Sequence, residues 1–193
     1  MQMPDKDGQL YLRYLRSRDR EALKTLFVKY RDSLLYYLYG IVKNMDDAQE
    51  LMMDTFADLA SGTVNYRIKK DASFKSWLFA VAHNKARMFL RKNKVAVVSD
   101  DELELADLYS ENDMKQPEKS IVINETNSYI YKALDSLNEN YRQIFFLLYF
   151  EQMKPPEVAR IMGISIKKVY NLTARAKEAL QQTLDRMGYS WDI

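Results

Sequence analysis

Apolar residues recur at steps of three and four along most of the chain, and strand-length alternation competes nowhere, so the pattern predicts an all-α protein. Asp19 can cap a helix running to about Lys43, with Leu23, Leu26, Phe27, Tyr30, Leu34, Leu38 and Ile41 on one stripe. A second helix is expected from Asp46, with Gln49 at the reciprocal capping position. Ala48, Leu51, Met52, Phe56 and Leu59 form its buried face, while Asp47, Glu50, Asp54 and Asp58 fall mostly opposite. Residues 61–72 contain Gly62 and Asn65 without helical periodicity and read as a loop. Ser73 then caps a helix to about Asn93, with Trp77, Leu78, Val81, Met88 and Phe89 expected inward. Asn84, Arg87, Arg91 and Lys92 share its solvent-facing surface.

Further along, Pro117 suits a first helical turn, and Ile121, Val122, Tyr129, Ile130, Ala133, Leu134 and Leu137 supply an apolar face. Residues 138–140 break that helix, and 141–151 form a very apolar one, expected at the centre of a second core. The run 155–180 reads PPEVARIMGISIKKVYNLTARAKEAL. It predicts a short helix from Pro156 with Val158, Ala159 and Ile161 inward, a stop at Gly163, and a second helix capped by Ser165. Val169, Leu172, Ala176 and Leu180 continue inward. Two short helices joined by a glycine turn are the helix-turn-helix pattern, and small Ala159 permits their close crossing. Ile166, Lys167, Lys168, Tyr170 and Asn171 then sit where a recognition helix meets base edges. The lysines can reach phosphate or guanine, and Asn171 can pair with adenine. An ordinary helical hairpin has the same local signature.

Composition narrows the chemistry. The 193 residues include no cysteine and one histidine, His83, which excludes disulfides, thiol nucleophiles and any two-histidine metal site. No metal or cofactor is expected, and His83 is read as an ordinary helix residue. The longest apolar run, residues 144–150, is far short of the roughly 20 that a membrane span needs, and no apolar signal region opens the chain. A cytoplasmic protein without membrane insertion is expected.

The net charge of +2 conceals segregation: residues 1–94 sum to +7, 95–128 to −7 and 129–193 to +2. Residues 100–113 hold seven carboxylates and no Lys or Arg, the composition of a mobile linker or a solvated loop with some helix. Residues 67–94 hold nine basic side chains against Asp71 alone, interleaved with Phe74, Trp77, Phe79 and Phe89. Such a block fits a polyanion, and its aromatics suit unstacked bases.

Three motifs in one order carry a family resemblance. Residues 47–56, DAQELMMDTF, are similar to a polymerase-binding helix of the form D-A-E-D-L-V-Q-E-V-F. Residues 74–84, FKSWLFAVAHN, are similar to F-x-x-W-L-x-x-I-A-x-N before a basic helix end, and residues 163–169 resemble G-I-S-x-x-x-V. Over residues 9–94 and 117–185 the chain resembles the extracytoplasmic-function group of the sigma-70 RNA polymerase sigma factors. The resemblance implies two small helical domains. Residues 9–94 would be region 2-like, binding core polymerase and the −10 element. Residues 117–185 would be region 4-like, reading the −35 element, and an acidic flexible linker at 95–116 would join them.

The resemblance implies polymerase contacts at Asp47, Glu50, Leu51, Met53 and Asp54, with Leu51, Met53 and Phe56 giving apolar anchoring or internal support. It implies −10 contacts at Asn65, Tyr66, Arg67, Lys69, Asn84, Arg87, Arg91 and Lys92, with residues 65–67 forming a pocket for a splayed base. It implies −35 contacts at Ser165, Lys167, Lys168, Tyr170, Asn171 and Arg175. Its expected partners are bacterial core RNA polymerase, promoter DNA and an anti-sigma factor. The acidic stretch could also shield the basic surface. Sigma factors are not enzymes, so no catalytic residue is expected.

The chain departs from the family pattern at Met53, where Gln is usual, and at 170–172, where Tyr-Asn-Leu replaces a K-S-R type sequence. Tyr170 offers stacking, methyl contact and one hydroxyl in place of a fixed charge. Other classes explain less. A stand-alone helix-turn-helix regulator leaves residues 47–56 and the basic block without a purpose. A nucleic-acid enzyme could bind magnesium through Asp46/Asp47 or Asp100/Asp101, but helix caps and a charged linker account for them, and no nucleophile or phosphate loop accompanies them. A helical adaptor leaves the basic clustering unexplained.

Overall fold

In a computed structural model, residues 5–67, 72–93 and 133–188 are described; within them every regular element is helical. The helices are α1 (Lys6–Ser17), α2 (Arg20–Val42), α3 (Met45–Ser61), α4 (Phe74–Asn93), α5 (Glu139–Phe145), α6 (Pro155–Met162) and α7 (Ile166–Arg186). A π-helical turn, Phe146–Phe150, continues α5. The expected linker at 95–116, the start at Pro117, Ile121, Val122, Tyr129 and Ile130 lie outside the described residues, as does Lys69.

Local caps set most boundaries. Asp19 accepts from the Glu21 and Ala22 amides to start α2, and Lys43 ends it in the left-handed region at φ 60°. Helix α3 starts earlier than its carboxylates suggest: Asn44, not Asp46, accepts the Asp47 amide at 3.0 Å. Asp46 and Asp47 instead lie in the first turn, where the positive end of the helix dipole favours them. Gly62 closes α3 at φ 77°. Ser73 Oγ accepts the Ser76 amide at 3.1 Å, as its sequence position predicts for α4. Asn138 caps α5, and α6 starts at Pro155, one residue before the expected Pro156. The single apolar helix expected at 141–151 is a short α-helix that widens into the π turn.

Helix α1 has no counterpart in the sequence expectations. Asp5 caps it by accepting the Gly8 amide at 2.8 Å, and its other oxygen accepts the Phe74 amide of α4 at 3.0 Å. Its aromatic face is tied to the end of α3: the Tyr11 hydroxyl donates to Leu59 O at 3.2 Å and the Tyr14 hydroxyl to Ala60 O at 2.6 Å. The Tyr30 hydroxyl donates to Asp7, whose carboxylate also holds Lys29 at 2.6 Å.

One apolar cluster fills the described structure. It runs from Tyr11, Leu26, Leu34, Leu38, Leu59, Phe74, Leu78 and Phe79 into Ile144, Leu147, Val158 and Val169, so helices of both halves share it. Helix α4 packs on α6, and α2 packs on α5. A smaller cluster joins Ala133, Leu134 and Leu137 to Leu180 and Leu184 of α7. Met88, expected inward, is 51% exposed, because it lies on the outer side of α4 from Leu78, Ala82 and Ala86.

Within this core Tyr37 is stacked on Phe146 at 5.9 Å, and its hydroxyl meets His83 Nδ1 at 2.9 Å. Burial, then the nearby Arg87 charge, pushes the His83 pKa from its usual 6.5 to about 4. Burial also raises the Tyr37 phenol, so it stays protonated and can donate to a neutral imidazole. Removing the hydroxyl in Tyr37→Phe leaves that nitrogen buried without its partner, and urea unfolding at pH 7 is expected to show a loss of about 1–3 kcal/mol.

The same pair gives a pH signature. Between pH 6.5 and about 4 the unfolded chain binds a proton that the folded chain excludes, so stability falls as pH falls through that window. The His83 share reaches about 3 kcal/mol at its lower end. Chemical denaturation from pH 7 to 4.5 is expected to show this slope, and His83→Asn should flatten its upper part. An unchanged slope in that variant contradicts the assignment.

Candidate nucleic-acid and polymerase interfaces

Helix α3 presents its carboxylates as a stripe. Glu50 and Asp54, one turn apart, are exposed; Asp47 is half-buried, and Met53 is 51% exposed beside them. Leu51 is buried with Phe56, as the apolar periodicity of this helix predicts, so its place among the polymerase contacts implied by the resemblance is corrected. Phe56 meets Phe27 edge-on at 4.9 Å. These two support the helix from beneath, and Met53 alone offers apolar anchoring from its surface. Asp58, expected with the outward acids, is drawn to Lys85 of α4 at 2.7 Å.

The basic block is smaller in space than in sequence. Lys85 is paired with Asp58, and Lys75 is held by Glu151, at 2.6 Å to Oε2 and 2.8 Å to its carbonyl. Arg67, Arg87, Arg91 and Lys92 remain exposed, and none has an ion pair among the described residues. Asn84, Arg87, Met88, Arg91 and Lys92 line one outer face of α4, opposite the buried Phe79, Ala82, His83 and Ala86.

Asn65 and Arg67 are exposed at the loop after α3, while Tyr66 between them is half-buried. Its ring meets Trp77 at 4.9 Å and Tyr11 and Phe74 at 5.6 Å each, all edge-on. Burial, then the charge of Asp5, pushes its phenol up to about 12. Tyr66 therefore braces the loop against α1 and α4, and Trp77 belongs to the same cluster. This loop abuts the first turn of α4, and the basic face begins about 10 Å further along the helix.

Helix α7 keeps every expected contact residue accessible. Ser165, Lys167, Lys168, Tyr170, Asn171 and Arg175 are exposed, while Val169, Ala176 and Leu180 are buried behind them. Gly163 takes φ 66° between α6 and α7, a conformation that costs glycine little. The Ser165 hydroxyl accepts the Lys168 amide at 3.2 Å, so this serine shapes the helix start.

A polar seam joins the two halves. Glu157 of α6 accepts from Ser73 Oγ at 2.7 Å and, weakly, from the Ser73 amide at 3.4 Å. Its second oxygen accepts the Lys154 amide at 3.1 Å, capping α6 itself. Burial pushes this carboxyl up, but the hydrogen bonds from Ser73 and from the Lys154 amide outweigh burial and hold it below the usual range. Arg142 of α5 donates to Gly40 O of α2 at 3.1 Å and to the carbonyls of Leu134, Asp135 and Leu137 at 3.1, 2.6 and 2.7 Å. Burial lowers its pKa to about 10, well above neutrality, so it stays charged inside that cage of carbonyls. Sequence reasoning missed this seam. Glu157 three residues after Lys154 could suggest a cap, but nothing local points from it to Ser73.

Among the described residues no group of three His, Asp or Glu side chains is placed to hold a metal, and no helix is long and apolar enough to cross a membrane.

Comparison with known proteins gives these surfaces a context. A family model for sigma-70 region 2 matches residues 26–95, and one for sigma-70 region 4 matches residues 128–180. The chain is 25% identical over 185 residues to the RNA polymerase sigma-H factor of Pseudomonas aeruginosa, spanning 93% of this chain and 94% of that one. It is 24% identical over 178 residues to the ECF RNA polymerase sigma factor SigW of Bacillus subtilis, spanning 90% and 94%. Its fold is similar to that of CnrH solved with the cytosolic domain of CnrY, with a TM-score of 0.61 at 22% identity over 94% of this chain and 99% of that one. It is also similar to the sigma factor RpoE solved with the anti-sigma factor NepR from Bartonella quintana, with a TM-score of 0.62 at 19% identity over 84% and 96%.

The ion pair at the seam can be weighed directly. The Glu151 side chain is 9% exposed and that of Lys75 28%, so Lys75→Met strands a mostly buried carboxylate. The expected loss is about 2–4 kcal/mol by urea denaturation. Adding Glu151→Gln should restore part of it, giving a coupling energy in the double-mutant cycle; strictly additive losses would mean that the two groups do not interact.

Proposed function

The chain belongs to the extracytoplasmic-function group of the sigma-70 family of RNA polymerase sigma factors, and we infer on that footing that it binds core RNA polymerase and directs it to particular promoters. The observation that carries this reading is the coexistence, on one chain, of an exposed acidic stripe on α3 and an exposed recognition helix α7. A regulator that only binds DNA needs the second and has no use for the first. Asp47, Glu50, Asp54 and Met53 serve as the polymerase contact. Asn65 and Arg67 flank the pocket for an unstacked −10 base, with Tyr66 bracing it. The face from Asn84 to Lys92 follows phosphates, and Lys167, Lys168, Tyr170, Asn171 and Arg175 read the −35 duplex. Residues 9–94 and 117–185 are the functional units, with 95–116 as tether. The chain supplies recognition and no chemical step.

The seam bears on how both elements are read at once. Elements centred near −10 and −35 lie roughly 25 base pairs apart, about 85 Å of B-form DNA. Helix α4 is about 30 Å long, and a compact chain of this length is about 40 Å across. With α4 packed on α6 the two DNA faces do not span that gap, so the halves part on the promoter. The 22 residues of the 95–116 tether span up to about 75 Å when extended, and the two functional units make up the remainder of the gap. An anti-sigma protein, the partner class named for RpoE, keeps such a chain inactive by covering the α3 stripe or by holding the closed form.

Run-off transcription with bacterial core polymerase tests the central reading. Selective transcripts should appear only with the chain and fall at least tenfold with Glu50→Lys plus Asp54→Lys, whose exposed sites leave the fold intact. Retained duplex binding with neither core binding nor selective initiation would favour the stand-alone regulator. Opening has its own readout, because a chain without cysteine accepts unique labels. Dyes on Lys24→Cys and Gln181→Cys, both at exposed positions, should move apart by tens of Å in the promoter complex, and an unchanged distance refutes the parting of the halves.

A further inference from the structure

The recognition helix carries two exposed apolar side chains that the expected −35 contacts do not fully use. Ile166 is 45% exposed and Tyr170 60% exposed, one turn apart at the start of α7. At 3.6 residues per turn they stand about 40° apart on one flank of the outer surface. Lys168 and Arg175 form the opposite flank, with Lys167 and Asn171 between. The surface is therefore two-sided, apolar along one edge and cationic along the other.

We propose that Ile166 and Tyr170 together form a reader of thymine methyl groups in the −35 duplex. This rests on the reading of α7 as the −35 helix. An isoleucine has no hydrogen-bonding atom beyond its backbone. In the major groove, the base-edge feature that welcomes such a side chain is the thymine C5-methyl. Against an adenine or cytosine amino group, or a guanine acceptor, the same side chain strips water and returns no hydrogen bond, so it rejects those bases as well as favouring thymine. The Tyr170 ring extends the apolar surface by one turn, and its hydroxyl can remain in water or meet a neighbouring phosphate. The cationic flank gives affinity without sequence information, and the apolar flank supplies discrimination. At least one thymine, and as many as two adjacent ones, are then required at the −35 positions facing this flank.

The test uses the full chain in complex with core polymerase. Promoters are first selected from a library randomised upstream of the start site. Each thymine of the selected −35 element, on either strand, is then replaced singly by deoxyuridine, which removes the methyl and keeps every hydrogen-bonding atom. The wild-type complex should weaken by about fourfold at one or two positions, the effect of one buried carbon, and by nothing elsewhere. Ile166→Ala or Tyr170→Ala should bind the thymine promoter more weakly and lose that sensitivity, while Lys168→Ala should weaken binding and retain it. Selective binding that ignores every uracil, or the same sensitivity in both alanine variants, overturns the inference alone. So does a loss of core polymerase affinity in those variants with the uracil effect unchanged, which would place the flank against protein. Failure to select any −35 sequence overturns the −35 reading and the inference with it.

Discussion

The structure depends on one apolar cluster being shared across a seam. Phe74, Leu78 and Phe79 of α4 belong to the same buried set as Ile144, Leu147, Val158 and Val169 from the second half. The Tyr37–Phe146 stack places an aromatic pair on the boundary. Helix α6 is eight residues long and cannot bury its apolar side by itself; Val158, Ala159, Ile161 and Met162 all face inward. It is positioned by α4 on one side and α7 on the other, and α7 thereby inherits its orientation from the first half of the chain. The exposure of the recognition surface is thus a consequence of where α4 buries its own residues.

Polar chemistry at the seam gathers at helix starts. The first turns of α4 and α6 each leave amide groups without helical partners, and burying them unpaired is costly. Asp5 takes the Phe74 amide, Ser73 takes the Ser76 amide, and Glu157 takes the Lys154 amide while binding Ser73. Two carboxylates therefore sit at the positive ends of helix dipoles, where their charge is favoured. One side chain, Glu157, both caps its own helix and registers the other half.

How much of this was legible in the sequence depended on the range of the interaction responsible. Caps are local, so α2, α4 and the helix-turn-helix were readable from Asp19, Ser73, Gly163 and Ser165. The start of α3 was misplaced because Asn44, an equally good cap two residues earlier, left Asp46 free to serve the dipole. Helix α1 was missed because its buried face is made of Tyr11 and Tyr14, residues whose hydroxyls need carbonyls at Leu59 and Ala60 before they can be buried. The charge pattern located the basic region but overstated it, since Asp58 and Glu151 consume two lysines from a distance in sequence. Leu51 and Met53 lie two residues apart in one motif; helical periodicity placed Leu51 inward, while the motif resemblance put both in the contact set. The contact between Ser73 and Glu157 spans 84 positions and carries no local mark.

A seam of this composition is suited to being parted. Its polar contacts range from the half-buried Ser73–Glu157 pair to the mostly buried Lys75–Glu151 pair, and on opening each of these groups regains water in place of its partner. The shared apolar residues keep neighbours within their own halves, because α1 to α4 pack on one another and α7 packs on α5 and α6. Opening therefore exposes part of a core and leaves two packed remainders. A partner that binds the open form only must supply the closing energy, and each 1.4 kcal/mol of closure weakens its apparent affinity tenfold. A partner whose contacts are confined to α3, away from the seam, binds both forms equally and shifts nothing, while promoter DNA favours the open form only when both faces engage. On the proposed reading the closed form therefore sets a threshold for promoter engagement, and polymerase lowers it only through contacts that it makes better with the open form.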